Sequence, residues 1–312
     1  DLLNKWGHNV VVFEKDDAPG GLLRYGIPDF KLNKKIIDRR LDILIKEGLN
    51  IKTNTYIGID LKGQDLLNEF DAICLTIGAM KPRDLSVEGR ELKGIHFAMD
   101  YLTQQNKINS GKTIIDNEHI NAKDKTVVVI GGGDTGSDCV GTAVRQGAKK
   151  VTQIEIMPKP PEKRTSDNPW PFWANVLRYS SSHEEGCERR WSLSTKKFIG
   201  KKGHVSKIEM VEVEWSRSNG KMQMIEKPSS QILMDADLVL LAMGFVHCVH
   251  EGLVQELGLE LDNKGNIKVN TAFQTNIPRI FAAGDSVMGA SLVVRAIYQG
   301  RNLAKAVDSF LK

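Results

Sequence analysis

The chain has 312 residues, 41% apolar and 26% charged, with 28 Gly, 10 Pro and 4 Cys. This composition excludes a disordered tail, a collagen and a disulfide scaffold, and at roughly 150 residues per domain it predicts two domains, each with its own core. The 43 basic and 39 acidic residues leave a net charge of +4 with no run of five like charges, so no nucleic acid is expected as a partner. The longest strongly apolar uncharged run, residues 238–250, has 13 residues, whereas a bilayer span takes about 20, so no membrane segment is expected.

Cys74, Cys139, Cys187 and Cys248 are far apart and include no CxxC pair. They offer neither a zinc nor an iron–sulfur ligand set and read as free thiols of a cytoplasmic protein. No metal site is expected in the chain.

Residues 1–7 have no initiator Met and no signal-peptide pattern, and they run straight into His8-Asn9-Val10-Val11-Val12-Phe13-Glu14. They read as the tail of a helix followed by a strand. An apolar strand closing on an acid is what the second strand of a dinucleotide-binding βαβ unit looks like, the acid reaching a ribose hydroxyl. A plain strand end reads the same way. The glycine loop expected about 20 residues earlier is absent from the sequence, so the start is expected to be a cut.

After Gly20-Gly21 comes a glycine-punctuated loop, then a helix over 34–47 with Ile36, Ile37, Leu41, Leu44 and Ile45 at helical spacing and Gly48 as its C-cap. Strands are predicted at 50–57 and 72–77, the latter running into Gly78. A buried strand at 125–130 opens directly into Gly131-Gly132-Gly133-Asp134-Thr135-Gly136 and a helix over 137–146. A GxGxxG in this context lets the first Gly turn tightly, the second admit a pyrophosphate, and the third pack the helix on the strand.

The next strand, 150–156, carries Glu155, 24 residues beyond Gly131. A carboxylate at that spacing accepts from a ribose 2′-hydroxyl and repels a 2′-phosphate, which tilts the reading toward NADH. Lys159, Lys163 and Arg164 pull the other way if they neutralise a phosphate, and are otherwise solvated loop charges. Residues 158–200 read as a long irregular lid or docking surface holding Trp170-Pro171-Phe172-Trp173, with His183 as an exposed loop residue. A hairpin is predicted from strands 207–215 and 222–226 joined by Asn219-Gly220. Strands at 236–243 and 279–283 end on Gly244 and Gly284-Asp285, and a last helix covers 293–311. This recurring strand-to-glycine layout is what two dinucleotide sites would produce.

Four segments in order, PGGLLRYGIPDFKL (19–32), VVVIGGGDTGSDCVGTAVRQGAK (127–149), EIMPKPPEKRTSDNPWPFW (155–173) and IFAAGDSVMGASLVVRAIYQGR (280–301), resemble the pyridine nucleotide-disulfide oxidoreductase superfamily. More narrowly, they resemble the glutamate synthase small (beta) subunits. The resemblance implies an α/β fold of two Rossmann-like three-layer dinucleotide-binding domains, the NAD(P) domain (103–244) inserted in the FAD domain (1–102 and 245–312). That FAD domain would lack its first strand and glycine loop. The implied activity is an NAD(P)H-dependent oxidoreductase. Hydride passes from NAD(P)H to FAD, and electrons continue through iron–sulfur centres to the glutamate synthase large (alpha) subunit, which makes glutamate from glutamine and 2-oxoglutarate.

Carried over residue by residue, Glu14 meets the FAD ribose, Gly21 and Leu22 its pyrophosphate and ring edge, and Ile57 its adenine. Gly284 and Asp285 hold the ribityl chain or pyrophosphate, with Leu292 and Val293 presenting N–H groups near the flavin. Gly131, Gly133, Asp134, Thr135 and Gly136 cradle the nicotinamide cofactor's phosphates, and Glu155 its ribose. Hydride passes directly between stacked rings, so no catalytic acid, base or nucleophile is expected. The family's cysteine-rich N-terminal domain, which carries the iron–sulfur clusters, has no counterpart in the sequence, and neither does the Arg-Arg pair that many bacterial members carry where Ile156-Met157 stand. A ferredoxin-reducing or pyrimidine-reducing relative on the same fold, and a docking fragment without turnover, are the competing readings.

Overall fold

A computed structural model describes residues 1–114, 119–172, 174–218 and 221–312. Trp173 and the expected Asn219-Gly220 turn lie outside the described residues. In chain order the elements are α1 (Leu2–Lys5), β1 (Val11–Phe13), α2 (Gly21–Tyr25), α3 (Lys35–Lys46), β2 (Asn50–Lys52), α4 (Gly63–Glu69), β3 (Ile73–Leu75), β4 (Ile95–Phe97) and α5 (Ala98–Asn109). They continue with β5 (Thr126–Ile130), α6 (Asp134–Arg145), β6 (Lys150–Ile154), α7 (Ser181–Glu184), β7 (Glu188–Arg190) and β8 (Leu193–Lys201). Last come β9 (His204–Ser218), β10 (Lys221–Asp235), β11 (Leu238–Leu241), α8 (Leu253–Glu256), β12 (Ile280–Ala282), α9 (Asp285–Met288) and α10 (Val293–Leu311).

These elements form two compact units, one of Asp1–Arg24, Asn33–Arg83 and Gly244–Lys312, the other of Tyr25–Leu32 and Asp84–Met243. The sequence puts the first boundary at 102/103, inside what is now seen to be α5. Residues 84–102 join the second unit because β4 pairs in parallel with β11 and α5 buries Ala98, Tyr101 and Leu102 against β5 and β11. Residues 25–32 join it too, since Asn106 Nδ2 donates to the Tyr25 and Ile27 carbonyls at 2.9 and 3.2 Å. Weak periodicity hid α5, whose apolar residues fall on a narrow stripe.

In the first unit β1 pairs in parallel with β2, and β12 with β3. Leu66, Leu67, Ile73, Leu75, Val254 and Ile280 lie in one core cluster, while Phe281, Leu303 and Val307 form another that seats the C-terminal half of α10. The expected helix at 34–47 is α3, although its apolar stripe is only partly covered: Ile36 and Ile45 are 54% and 51% exposed. It ends as expected, with Gly48 at φ +96° and Leu49 N–H returning to the Leu44 carbonyl.

In the second unit a parallel sheet runs β4-β11-β5-β6-β7. Its central strands read as continuous Val, Leu and Ile because both faces are covered. Val127, Val129, Leu238 and Leu240 point to α5 and α6, whereas Val128, Ile130, Val239 and Leu241 point to an antiparallel β10-β9-β8 sheet. The strand order changes direction between β5 and β11, the position at which an open α/β sheet leaves a crevice beyond its carboxyl ends. The 158–200 stretch is less irregular than its composition predicts, because it contains α7, β7 and nearly all of β8. Among the described residues no helix is long and apolar enough to cross a membrane.

Candidate dinucleotide-binding sites

The loop after β5 stands at that crevice. Gly131 has φ +124°, a left-handed backbone open to glycine, and a Cβ there would collide with the Ala242 carbonyl at the end of β11. Gly136 is equally closed, for its Cβ would strike the Gly131 carbonyl and stand 2.6 Å from Gln153 Nε2. Gly133 is the opposite case, with nothing within 4 Å of its would-be Cβ. Two glycines are therefore demanded by packing and one faces open space. Gly133 is also the N-cap of α6, and no side chain caps that end. Free N–H groups and the positive end of a 12-residue helix converge beside Asp134 and Thr135. These features fit a pyrophosphate.

Helix α6 starts at Asp134, three residues before the predicted start, so the GxGxxG lies partly inside its first turn. Glu155 follows β6, and its carboxylate accepts the Gly132 N–H at 2.5 Å and the Met157 N–H at 3.0 Å. The strand-end acid thus stands against the glycine loop, where a ribose following the pyrophosphate would lie. Of the three downstream cations, Arg164 serves the loop itself: Nη1 donates to the Asn168 and Phe172 carbonyls at 3.1 and 2.9 Å. Lys159 Nζ lies 5.6 Å from the Trp191 ring, whose other cation is Arg189 at 4.9 Å. Lys163 is exposed.

His183 is not an exposed loop residue. It is the third residue of α7's capping box, half-buried, with Nδ1 accepting the Ser180 N–H at 3.1 Å and Nε2 meeting Gln153 Oε1 at 2.9 Å. Burial first, then the charges of Arg189 and Lys31, push its pKa down to about 4. Gln153 was missed by sequence reasoning, although a Gln inside the buried Val151-Thr152-Gln153-Ile154 run is the available signal. Two cavities, of about 350 Å³ at Trp191, Ser192 and Leu193 and about 530 Å³ at Thr126, Lys149 and Lys150, are lined by no residue of the glycine loop.

In the first unit the expected flavin-side residues lie on five segments. Glu14 closes β1, its N–H on the Lys52 carbonyl and its carboxylate on the Asp16 N–H at 3.0 Å. Gly21 begins α2 at φ +50° with open space at its Cβ position, and the turn is braced by Arg24, which donates to the Pro19 carbonyl at 2.7 Å and pairs with Asp38 at 2.6 Å. Leu22 is half-buried in α2. Ile57, like Phe13 and Phe70, is partly buried and packs against the core cluster that holds Leu66, Ile73 and Ile280.

Beyond β12, Gly284 turns at φ +76° and donates to Gln299 Oε1 at 2.7 Å, and Asp285 Oδ1 accepts the Ser291 hydroxyl at 2.7 Å. Leu292 caps α10 with no side-chain acceptor, and Leu292, Val293 and Val294 are 49%, 53% and 66% exposed. A 19-residue helix left uncapped among exposed aliphatic side chains suits an apolar ring system that accumulates negative charge. The residues fit a flavin. Among the described residues no cluster of three or more His, Cys, Asp or Glu is placed to hold a metal ion.

The sequence is 45% identical over 312 residues to the glutamate synthase [NADPH] small chain of Mycobacterium tuberculosis, covering 99% of this chain and 63% of that one. It is 43% identical over 322 residues to the corresponding Bacillus subtilis small chain, covering 100% and 64%. With glutamate synthase [NADH] of Schizosaccharomyces pombe it shares 42% over 319 residues, 99% of this chain and 15% of that protein. The chain thus spans less than two thirds of the length of the small chains it matches. Mycobacterium tuberculosis FprA in complex with NADPH superposes with a TM-score of 0.72 at 16% identity, covering 97% and 77% of the two chains. T. acidophilum thioredoxin reductase gives 0.63 at 18%, covering 99% and 92%. Both share the two-domain α/β dinucleotide-binding fold. A profile of one family matches residues 3–300, nearly the whole sequence, and the chain belongs to the pyridine nucleotide-disulphide oxidoreductase family.

Proposed function

We propose that this chain is the FAD- and NAD(P)H-binding part of a glutamate synthase small subunit, an oxidoreductase that feeds electrons to a large subunit. The observation that carries the reading is the glycine loop at the sheet's switch point, closed at Gly131 and Gly136 and open at Gly133. It is joined by identities above 40% to small chains along the whole length of this one.

When bound, the nicotinamide supplies a hydride and the isoalloxazine accepts it. The chain's own residues bind and orient. Gly133, Asp134 and Thr135 would present backbone N–H groups to the nucleotide pyrophosphate, and Glu155 a carboxylate to its ribose. Glu14, Gly21, Leu22 and Ile57 would line the flavin's adenosine and pyrophosphate, with Gly284 and Asp285 on its ribityl side. The uncapped N–H groups at Leu292 and Val293 would stabilise negative charge on the reduced ring. The nucleotide preferred is NADH, because a carboxylate beside Gly132 repels a 2′-phosphate. The partner is a glutamate synthase large subunit, and the iron–sulfur clusters belong outside this chain.

The test is an anaerobic absorbance titration of the FAD-loaded protein with NADH and NADPH in parallel. Loss of the flavin's visible absorbance with NADH at lower concentration than with NADPH is the expected result. Flavin that is held yet reduced by neither nucleotide overturns the reading. Capture of a purified glutamate synthase large chain by the same preparation tests the partner.

A further inference from the structure

Behind the glycine loop runs a polar chain that cofactor contacts do not use. Gln153 is 2% exposed in the middle of the parallel sheet, where an aliphatic residue would cost nothing to bury. Its Nε2 donates to the Gly131 carbonyl at 2.8 Å, and its Oε1 meets His183 Nε2 at 2.9 Å. Because His183 Nδ1 accepts the Ser180 N–H, Nε2 is the nitrogen that carries the proton and donates. That donation decides which end of the Gln153 amide faces the loop. Reversed, the amide would set Oε1 against the Gly131 carbonyl, oxygen against oxygen.

The chain continues through Ser180, whose hydroxyl lies 3.3 Å from Lys31 Nζ. The same ammonium reaches Ser137 Oγ and Asp138 Oδ1, both at 3.0 Å, in the first turns of α6. Ser137 Oγ in turn donates to the Asp134 carbonyl at 2.8 Å. The path thus leaves the loop at its first glycine and re-enters at the helix that the loop feeds. The Gln153 amide also occupies the space that a side chain at Gly136 would need.

We propose that Gln153, oriented by His183, is a positioning residue for dinucleotide binding: it holds the Gly131 carbonyl so that the N–H groups of the loop converge on the pyrophosphate, while Lys31 holds the first turn of α6 in register with it. This rests on the reading of the loop as the NAD(P)H site. Neither Gln153 nor His183 touches the nucleotide, so their loss acts through the shape of the loop.

The test is calorimetric binding of the unreactive oxidised nucleotides NAD+ and NADP+ to the FAD-loaded protein and its His183→Ala, His183→Gln and Gln153→Met variants, alongside melting temperature and flavin content. His183→Ala and Gln153→Met are expected to weaken nucleotide binding about five- to tenfold, the effect of one buried hydrogen bond, with flavin content unchanged. His183→Gln, whose side-chain amide N–H replaces the imidazole donor, is expected to restore wild-type affinity. Should Gln153→Met fail to fold, the two His183 variants decide the matter. A lowered melting temperature with wild-type nucleotide affinity overturns the proposal, as does a His183→Gln protein as weak as His183→Ala. Wild-type protein that binds flavin but neither nucleotide overturns the parent reading as well, and is distinguished from the other failures by appearing before any substitution.

Discussion

The Glu155 carboxylate and the Gly132 N–H are joined at 2.5 Å, which ties the end of β6 to the middle of the glycine loop. A Cβ on Gly132 would itself stand 2.5 Å from Glu155 Oε2, so the second glycine of the run leaves room for the acid's carboxylate.

Replacing Glu155 therefore changes the loop's brace and, on the proposed reading, the charge presented to the nucleotide ribose. Glu155→Arg is expected to raise the NADPH-to-NADH ratio of kcat/KM about tenfold, the scale of one charge-assisted hydrogen bond gained or lost. Steady-state flavin reduction with each nucleotide reads it. An unmoved ratio removes Glu155 from the ribose.

The glycines separate by what surrounds them. Gly136→Ala forces a methyl against the Gly131 carbonyl and Gln153, and is expected to cost about 3 kcal/mol of stability. Gly133→Ala meets no protein atom and has ordinary extended backbone, so it is expected to leave the denaturation midpoint in place while weakening NAD(P)H binding. Equal stability losses for the two would contradict the packing described, and undiminished binding by Gly133→Ala would contradict the site.

Asn106 is 6% exposed and donates to both Tyr25 and Ile27. Asn106→Leu keeps the bulk and loses both donations, and a loss of about 2 kcal/mol is expected. Denaturant unfolding monitored by circular dichroism measures it; an unchanged midpoint would show that residues 25–32 are held by something else.

His183 supplies a pH dependence. Its pKa falls from 6.5 to about 4 on folding, chiefly through burial. Between those values the unfolded chain binds a proton that the folded one does not, so stability rises with pH across this window, is complete above about 6.5, and declines as pH falls toward 4. His96, also lowered by burial, acts in the same direction, whereas the raised Asp100 opposes it. Comparing wild type with His183→Gln isolates the one residue. The variant is expected to show the shallower dependence of unfolding free energy on pH between 4 and 6.5, and parallel curves would refute the burial of a neutral His183.

On the flavin side, Asp285→Ala releases the Ser291 hydroxyl and removes a carboxylate beside the uncapped start of α10. Retained FAD after gel filtration is expected to fall about tenfold, on the scale of one charge-assisted hydrogen bond. Full retention would take Asp285 out of the flavin site.

What the sequence determined by itself is local and periodic. The strand Thr126–Ile130, a short β-branched run closed by glycines, and the long amphipathic helix from Val293 to Leu311 are legible from run length, residue type and flanking glycines. The family was legible for the same reason, because its signature segments are short and contiguous. Only the tertiary structure decided what depends on distant residues meeting. A faint amphipathic stripe gave no sign of α5, and the first boundary moved to 83/84 because β4 found its partner in β11, more than a hundred residues later. The polar Gln153 in an apolar strand, and a histidine that read as loop, acquired meaning only when folding set one against the other at 2.9 Å and both behind Gly131. Hydrogen bonds between side chains remote in sequence leave no period to read, since each partner alone is compatible with many surroundings and only packing selects the pair.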